Sequence, residues 1–134
     1  MYNHVTVGSN DLEKSRAFFD AALGPLGMTC TPSEGRLRYT GDGTVLVVLT
    51  PRDGNAATFG NGVTIGLRAE SPEAVDGFYA GGMANGGICE GPPGVRPGSP
   101  FRNYVAYMRD PEGNKFCCLW PNPEYAQGMV IKKD

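Results

Sequence analysis

His4 is the chain's sole histidine, and Cys117 and Cys118 are adjacent in an apolar run, Lys115 to Trp120, near its end. An imidazole near neutral pH can act as acid, base or hydrogen-bond donor. A thiol becomes a nucleophile or ligand only as thiolate. Arg36 and Arg38 alternate with Leu37 and Tyr39, and Arg96 sits in a proline-rich loop. A guanidinium is a planar fork that grips carboxylate or phosphate through two bonds, so these three arginines are candidate anion anchors. The four cysteines, with Cys30 and Cys89, match no zinc spacing and are expected to be reduced thiols.

The elements that position these residues are repeated. Residues 4–19 overlay 64–79 without a gap, so that Val5 falls on Ile65, Val7 on Leu67, Glu13 on Glu73 and Phe18 on Phe78. An internal repeat implies two units of one design. In each, an alternating apolar strand leads into a helix. Val5 and Val7 point one way and His4 and Thr6 the other. Asn10, with Glu13 three residues on, predicts a helix start, and the helix runs to about Leu23, before Gly24-Pro25. It should lie on the Val5/Val7 side, leaving His4 on the opposite face.

Strands are then predicted at 28–31, 36–40 and 44–50, a polar connection at 51–62, and a new strand at 63–68. Ser71-Pro72-Glu73 opens a second helix that ends at Gly86-Gly87. A short strand at 88–90, a loop at 91–100, and strands at 103–109 and 115–120 around Asp110-Pro111-Glu112-Gly113 complete the unit. The reading is one domain over 1–134. Module one spans about 2–51, a linker 52–61, module two about 62–121, and a tail 122–134.

Twelve basic and fourteen acidic residues give a net charge of -2, and no basic stripe suggests nucleic acid. No apolar run is long enough to span a bilayer, and residues 1–20 lack a signal-peptide pattern, so the expected location is the cytoplasm with no membrane partner. Twenty glycines and eleven prolines fall between periodic segments, as in a turn-rich α+β domain.

The doubled β-α-β-β-β unit resembles the vicinal oxygen chelate superfamily of glyoxalases, bleomycin resistance proteins and extradiol dioxygenases. The resemblance rests on His4-Val5-Thr6-Val7, on Asp11 to Phe19, and on Asp110-Pro111-Glu112-Gly113-Asn114-Lys115. Gly60-Asn61-Gly62 and Pro93-Gly94-Val95-Arg96-Pro97 are similar to a bacterial, glyoxalase-like branch. It implies an α+β fold of two tandem βαβββ modules in a curved, pseudo-symmetric, eight-stranded mixed sheet around a central cleft. Metal-using members carry one ligand on the first and one on the last strand of each unit, usually two His or Gln and two Glu. Carried over, those positions are His4, Val47, Thr64 and Cys117. Valine has no lone pair and a threonine hydroxyl is a poor ligand, so no cofactor is expected and the set argues against a divalent metal.

In that geometry Cys117 lies close to His4, and the two are candidate catalytic residues. Arg36, Arg38, Thr64, Arg96 and Tyr104 are candidate ligand contacts, with Ala106 and Met108 supplying apolar wall. Three readings follow: a metal-independent binder of a small organic molecule, a metal-dependent lyase or dioxygenase of glyoxalase type, and a non-catalytic interaction domain. The resemblance also implies a homodimer.

Overall fold

Strand β1 (Val5–Gly8) buries Val7 and exposes Thr6, as its alternation requires. The structure, a computed structural model, describes residues 1–41 and 43–124; the tail expected beyond 124 and Asp42 of the first glycine turn lie outside it. Helix α1 (Leu12–Leu23) follows β1, but its cap is Asp11 rather than the expected Asn10. The Asp11 carboxylate accepts from the Glu13 and Lys14 N–H groups, both at 3.1 Å, satisfying two donors the helix leaves open. Asn10 is engaged elsewhere: its backbone N–H and Nδ2 each donate to Glu112 at 2.7 Å, tying the start of module one to the last turn of module two. Beyond Leu23 the chain continues as a short 3-10 turn, Gly24–Leu26.

Strands β2 (Thr29–Ser33), β3 (Arg36–Gly41) and β4 (Thr44–Leu49) complete module one. Module two repeats the plan as β5 (Ile65–Arg68), α2 (Pro72–Met83), β6 (Ile88–Val95), β7 (Tyr104–Arg109) and β8 (Lys115–Trp120). Strand β6 is longer than the three residues expected, running through Pro92 and Pro93 with two register shifts against β7. Its place at the sheet edge explains the tolerance, since prolines there interrupt only one ladder and bulges absorb them.

The eight strands fall into two four-stranded mixed sheets, ordered β1-β4-β3-β2 and β5-β8-β7-β6. No ladder joins β1 to β5 among the described residues, so the fold is two sheets side by side rather than one continuous sheet. In each, the first strand runs parallel to the last and the other neighbours are antiparallel.

One apolar cluster serves both modules. Phe18, Phe19 and Leu23 of α1 meet Leu37, Tyr39, Leu46 and Val48 of sheet one and Met108, Phe116 and Cys118 of sheet two. Phe19 is wholly buried at the junction, its ring 5.4 Å from Phe116 and 5.8 Å from Tyr39. The helices touch backbone to backbone: a Cβ on Gly81 would lie 2.3 Å from the Ala21 carbonyl oxygen. The glycines that make α2 a poor intrinsic helix are thus what permits the close crossing. No helix among the described residues is long and apolar enough to cross a membrane.

Candidate functional site

With the helices covering one face of each sheet, chemistry is left to the other. In β4, Leu46 and Val48 join the core cluster whereas Val47, though only 8% exposed, does not. Register then defines a row across the helix-free face of sheet one: Thr6, Val47, Arg38 and Thr31. Leu37 and Tyr39 are buried on the helix side, so Arg36 and Arg38 stand exposed on the open face as expected. The Tyr39 hydroxyl donates to Asp20 at 2.8 Å, and burial first, then that carboxylate, pushes its pKa up.

The equivalent row of sheet two is Gly66, Cys117, Tyr107 and Gly91. This register corrects one expectation. Tyr104, Ala106 and Met108 lie on the helix side, where Ala106 and Met108 are fully buried. The Tyr104 hydroxyl donates to Asp76 of α2 at 2.6 Å, which raises its pKa, so Tyr104 is not on the open face. The five-residue turn Asp110–Asn114 pairs Arg109 with Lys115, which puts Tyr107 opposite Cys117 and turns even-numbered residues of β7 inward.

Tyr107 and Lys115 are the residues that sequence reasoning missed. Counting back from that turn was the available signal. The Arg96 guanidinium lies over the Tyr107 ring, 4.3 Å from its centre, and the Lys115 ammonium is 5.4 Å from it. Both act to lower the pKa of Cys117, but burial outweighs them and the thiol is raised overall. Burial, with Cys117 beside it, pushes Cys118 up to about 12. Neutral thiols here are weak nucleophiles. All four cysteines are free.

His4 and Thr64 are exposed residues just before β1 and β5. His4 Nδ1 pairs with Asn3 Oδ1 at 2.8 Å, and no hydrogen bond joins His4 to Cys117 among the described residues. Where the edges of β1 and β5 approach, two grooves related by the repeat share Val5 and Ile65. One, of about 210 Å³, is lined by His4, Val45 and Gly66. The other, of about 270 Å³, is lined by Thr6, Val63 and Lys115. A larger groove of about 560 Å³ lies beyond β5 against Leu26, Met28, Arg68 and Glu70, and holds none of the expected site residues.

The repeat of β-α-β-β-β units and the paired sheets agree with a sequence-family model. The model of the Glyoxalase/Bleomycin resistance protein/Dioxygenase superfamily matches residues 2–118. The chain belongs to this superfamily. Among solved structures, a glyoxalase/bleomycin resistance protein from Albidiferax ferrireducens T118 is 47% identical, with 91% of this chain and 99% of that one covered and a TM-score of 0.83. Two more distant structures share the fold. One is a lactoylglutathione lyase from Agrobacterium tumefaciens (19% identity, 90% and 92% coverage, TM-score 0.61). The other is the fosfomycin resistance protein FosX from Listeria monocytogenes, complexed with Mn(II) and sulfate (17%, 94% and 94%, TM-score 0.69). No curated protein matches the chain.

Superfamily membership raises a divalent metal as a possible resident, and the residues present do not fit one. Of the four implied ligand positions, Val47 offers no donor atom and Thr64 only a neutral hydroxyl, so His4 and Cys117 alone could ligate an ion. Among the described residues, no group of three or more His, Cys, Asp or Glu side chains converges. The open faces instead present arginine, lysine, aromatic and small side chains.

Proposed function

We propose that this superfamily member binds a small organic molecule on the paired helix-free faces without a resident metal ion. One observation carries the reading: the positions that would ligate a metal hold His4, Val47, Thr64 and Cys117, of which only His4 and Cys117 could ligate. The surroundings suit a bound organic body. Val47, Val45 and Leu49 give apolar floor to sheet one, and Arg36 and Arg38 border it.

The test is ligand-induced thermal stabilisation across a broad library of small organic acids, bases and neutral aromatics, run with and without a chelator. Stabilisation that survives chelation is expected. Stabilisation that disappears with chelator, or none anywhere in the library, would overturn the reading.

A further inference from the structure

The floor of sheet two is built to leave room. At both ends of the row around Cys117 and Tyr107 the side chain is missing, at Gly66 and Gly91. A Cβ on Gly91 would lie 2.6 Å from the Arg96 guanidinium, and one on Gly66 would lie 3.4 Å from the Cys117 sulfur. Arg96 therefore lies down on the β6 backbone and on the Tyr107 ring together. Stacking a guanidinium on a ring fixes its plane and leaves its N–H edge free for a partner.

The charge beside it is uncompensated. Lys115 approaches the same ring, and the ion pairs among the described residues, Arg16 with Asp20 and Arg109 with Glu90, include neither Arg96 nor Lys115. Glu90, the acid next to Gly91 in β6, is held by Arg109 at 2.6 Å. Two cations that flank one ring without an acidic partner leave a positive field there, which an anion over the ring edge would offset.

We propose that Arg96 and Lys115, set around Tyr107 beside Cys117, form an oxyanion-binding subsite, so that the ligand class is an organic acid carrying a carboxylate, phosphonate or phosphate group. The inference rests on the binding reading above and adds to it the ligand's charge and the part of the open face of sheet two where that charge sits. The ring and the two glycines leave a flat floor for an unsaturated or aromatic body next to the acid group.

The experiment titrates the full chain with benzoate, phenylphosphonate and benzamide, the last a neutral mimic of benzoate, by calorimetry. Three variants accompany the wild type: Arg96→Gln, Lys115→Gln, and Arg52→Gln in the exposed linker as a control for loss of one positive charge. Benzoate and phenylphosphonate should bind saturably and benzamide about tenfold more weakly. Arg96→Gln and Lys115→Gln should each weaken the anions about tenfold while Arg52→Gln leaves them unchanged. Circular dichroism of each variant confirms that it is folded. Binding of benzamide as tight as benzoate, or anion binding untouched by both variants, would overturn the oxyanion assignment and leave ligand binding standing. Saturable binding by none of the three would overturn the assignment and count against ligand binding as well.

Discussion

Replacing Gly81 with alanine should destabilise the protein, against the ordinary direction for a glycine inside a helix. Intrinsic propensity alone would make Gly→Ala stabilising by about 1 kcal/mol. Here the new methyl would lie 2.3 Å from the Ala21 carbonyl oxygen and 2.7 Å from its carbonyl carbon. Normal separations are about 3.3–4.0 Å, so α1 and α2 must part by roughly 1 Å, which forfeits a quarter to a half of each contact's dispersion energy. Overpacking of this kind costs about 1–3 kcal/mol after relaxation, and the methyl meets backbone rather than a side chain that could rotate away. Because backbone cannot yield, the cost falls at the upper end of that range, about 2–3 kcal/mol. Less the propensity gain of about 1 kcal/mol, it leaves a net loss of about 1–2 kcal/mol, or on the order of 3–10 °C in Tm at this chain length. Gly94→Ala is the control. Gly94 lies in strand β6 outside the left-handed region, is not followed by proline, and a Cβ there meets nothing within 4 Å. It should stabilise by about 0.4–1 kcal/mol through the unfolded chain. Urea and thermal unfolding read both variants. A Gly81→Ala protein at least as stable as wild type would refute the claim that a backbone-tight helix crossing holds the two sheets in place.

Other expectations follow from the same geometry. Asp110 is fully buried and accepts from the Glu112 N–H, the Asn114 N–H and Asn114 Nδ2 at 2.8–3.0 Å, yet burial raises its pKa above the usual carboxylate value. The folded state therefore binds this proton more tightly than the unfolded chain, and its contribution to stability falls as pH rises from about 4 through the raised value. Asp110→Asn places an amide N–H₂ against those donors and should cost about 1–3 kcal/mol. Its deficit relative to wild type should narrow as pH rises through that window, as urea unfolding at pH 4–8 would show; a widening deficit would contradict the shift. Alkylation by iodoacetamide at pH 7.5 should label exposed Cys89 well before Cys117 and Cys118, whose burial raises both thiols. Peptide mass spectrometry that found Cys117 labelled first would revive it as a nucleophile.

Much of the fold was legible because its signals are redundant. Val5 and Val7 repeated at Ile65 and Leu67, and each of the two helices began at a short polar cap, Asp11 or Ser71. What was not legible depended on tertiary competition. Asn10 carries a good capping side chain, but Glu112, a hundred residues away, and the Ala57 backbone claim it, and the cap passes to Asp11. Strand β6 survives its prolines only because it is an edge, which no local pattern announces. The face that β7 turns to the helices is not legible because Tyr104 is polar at its tip and apolar along its ring. Its hydroxyl finds Asp76 on the helix side, leaving Tyr107 to the open face. Of the expected site residues, Arg36, Arg38, Val47 and Cys117 fall on the open faces, while His4 and Thr64 sit at the strand starts near the module junction.

Elemental analysis of the full chain, purified without chelator and then dialysed against nickel, zinc, manganese or iron, tests the emptied donor set most directly. Less than about a tenth of an equivalent of any ion should remain bound, since one imidazole and one thiol beside apolar neighbours leave an ion mostly to water. One equivalent retained per chain, and lost on replacing His4 with alanine, would contradict it.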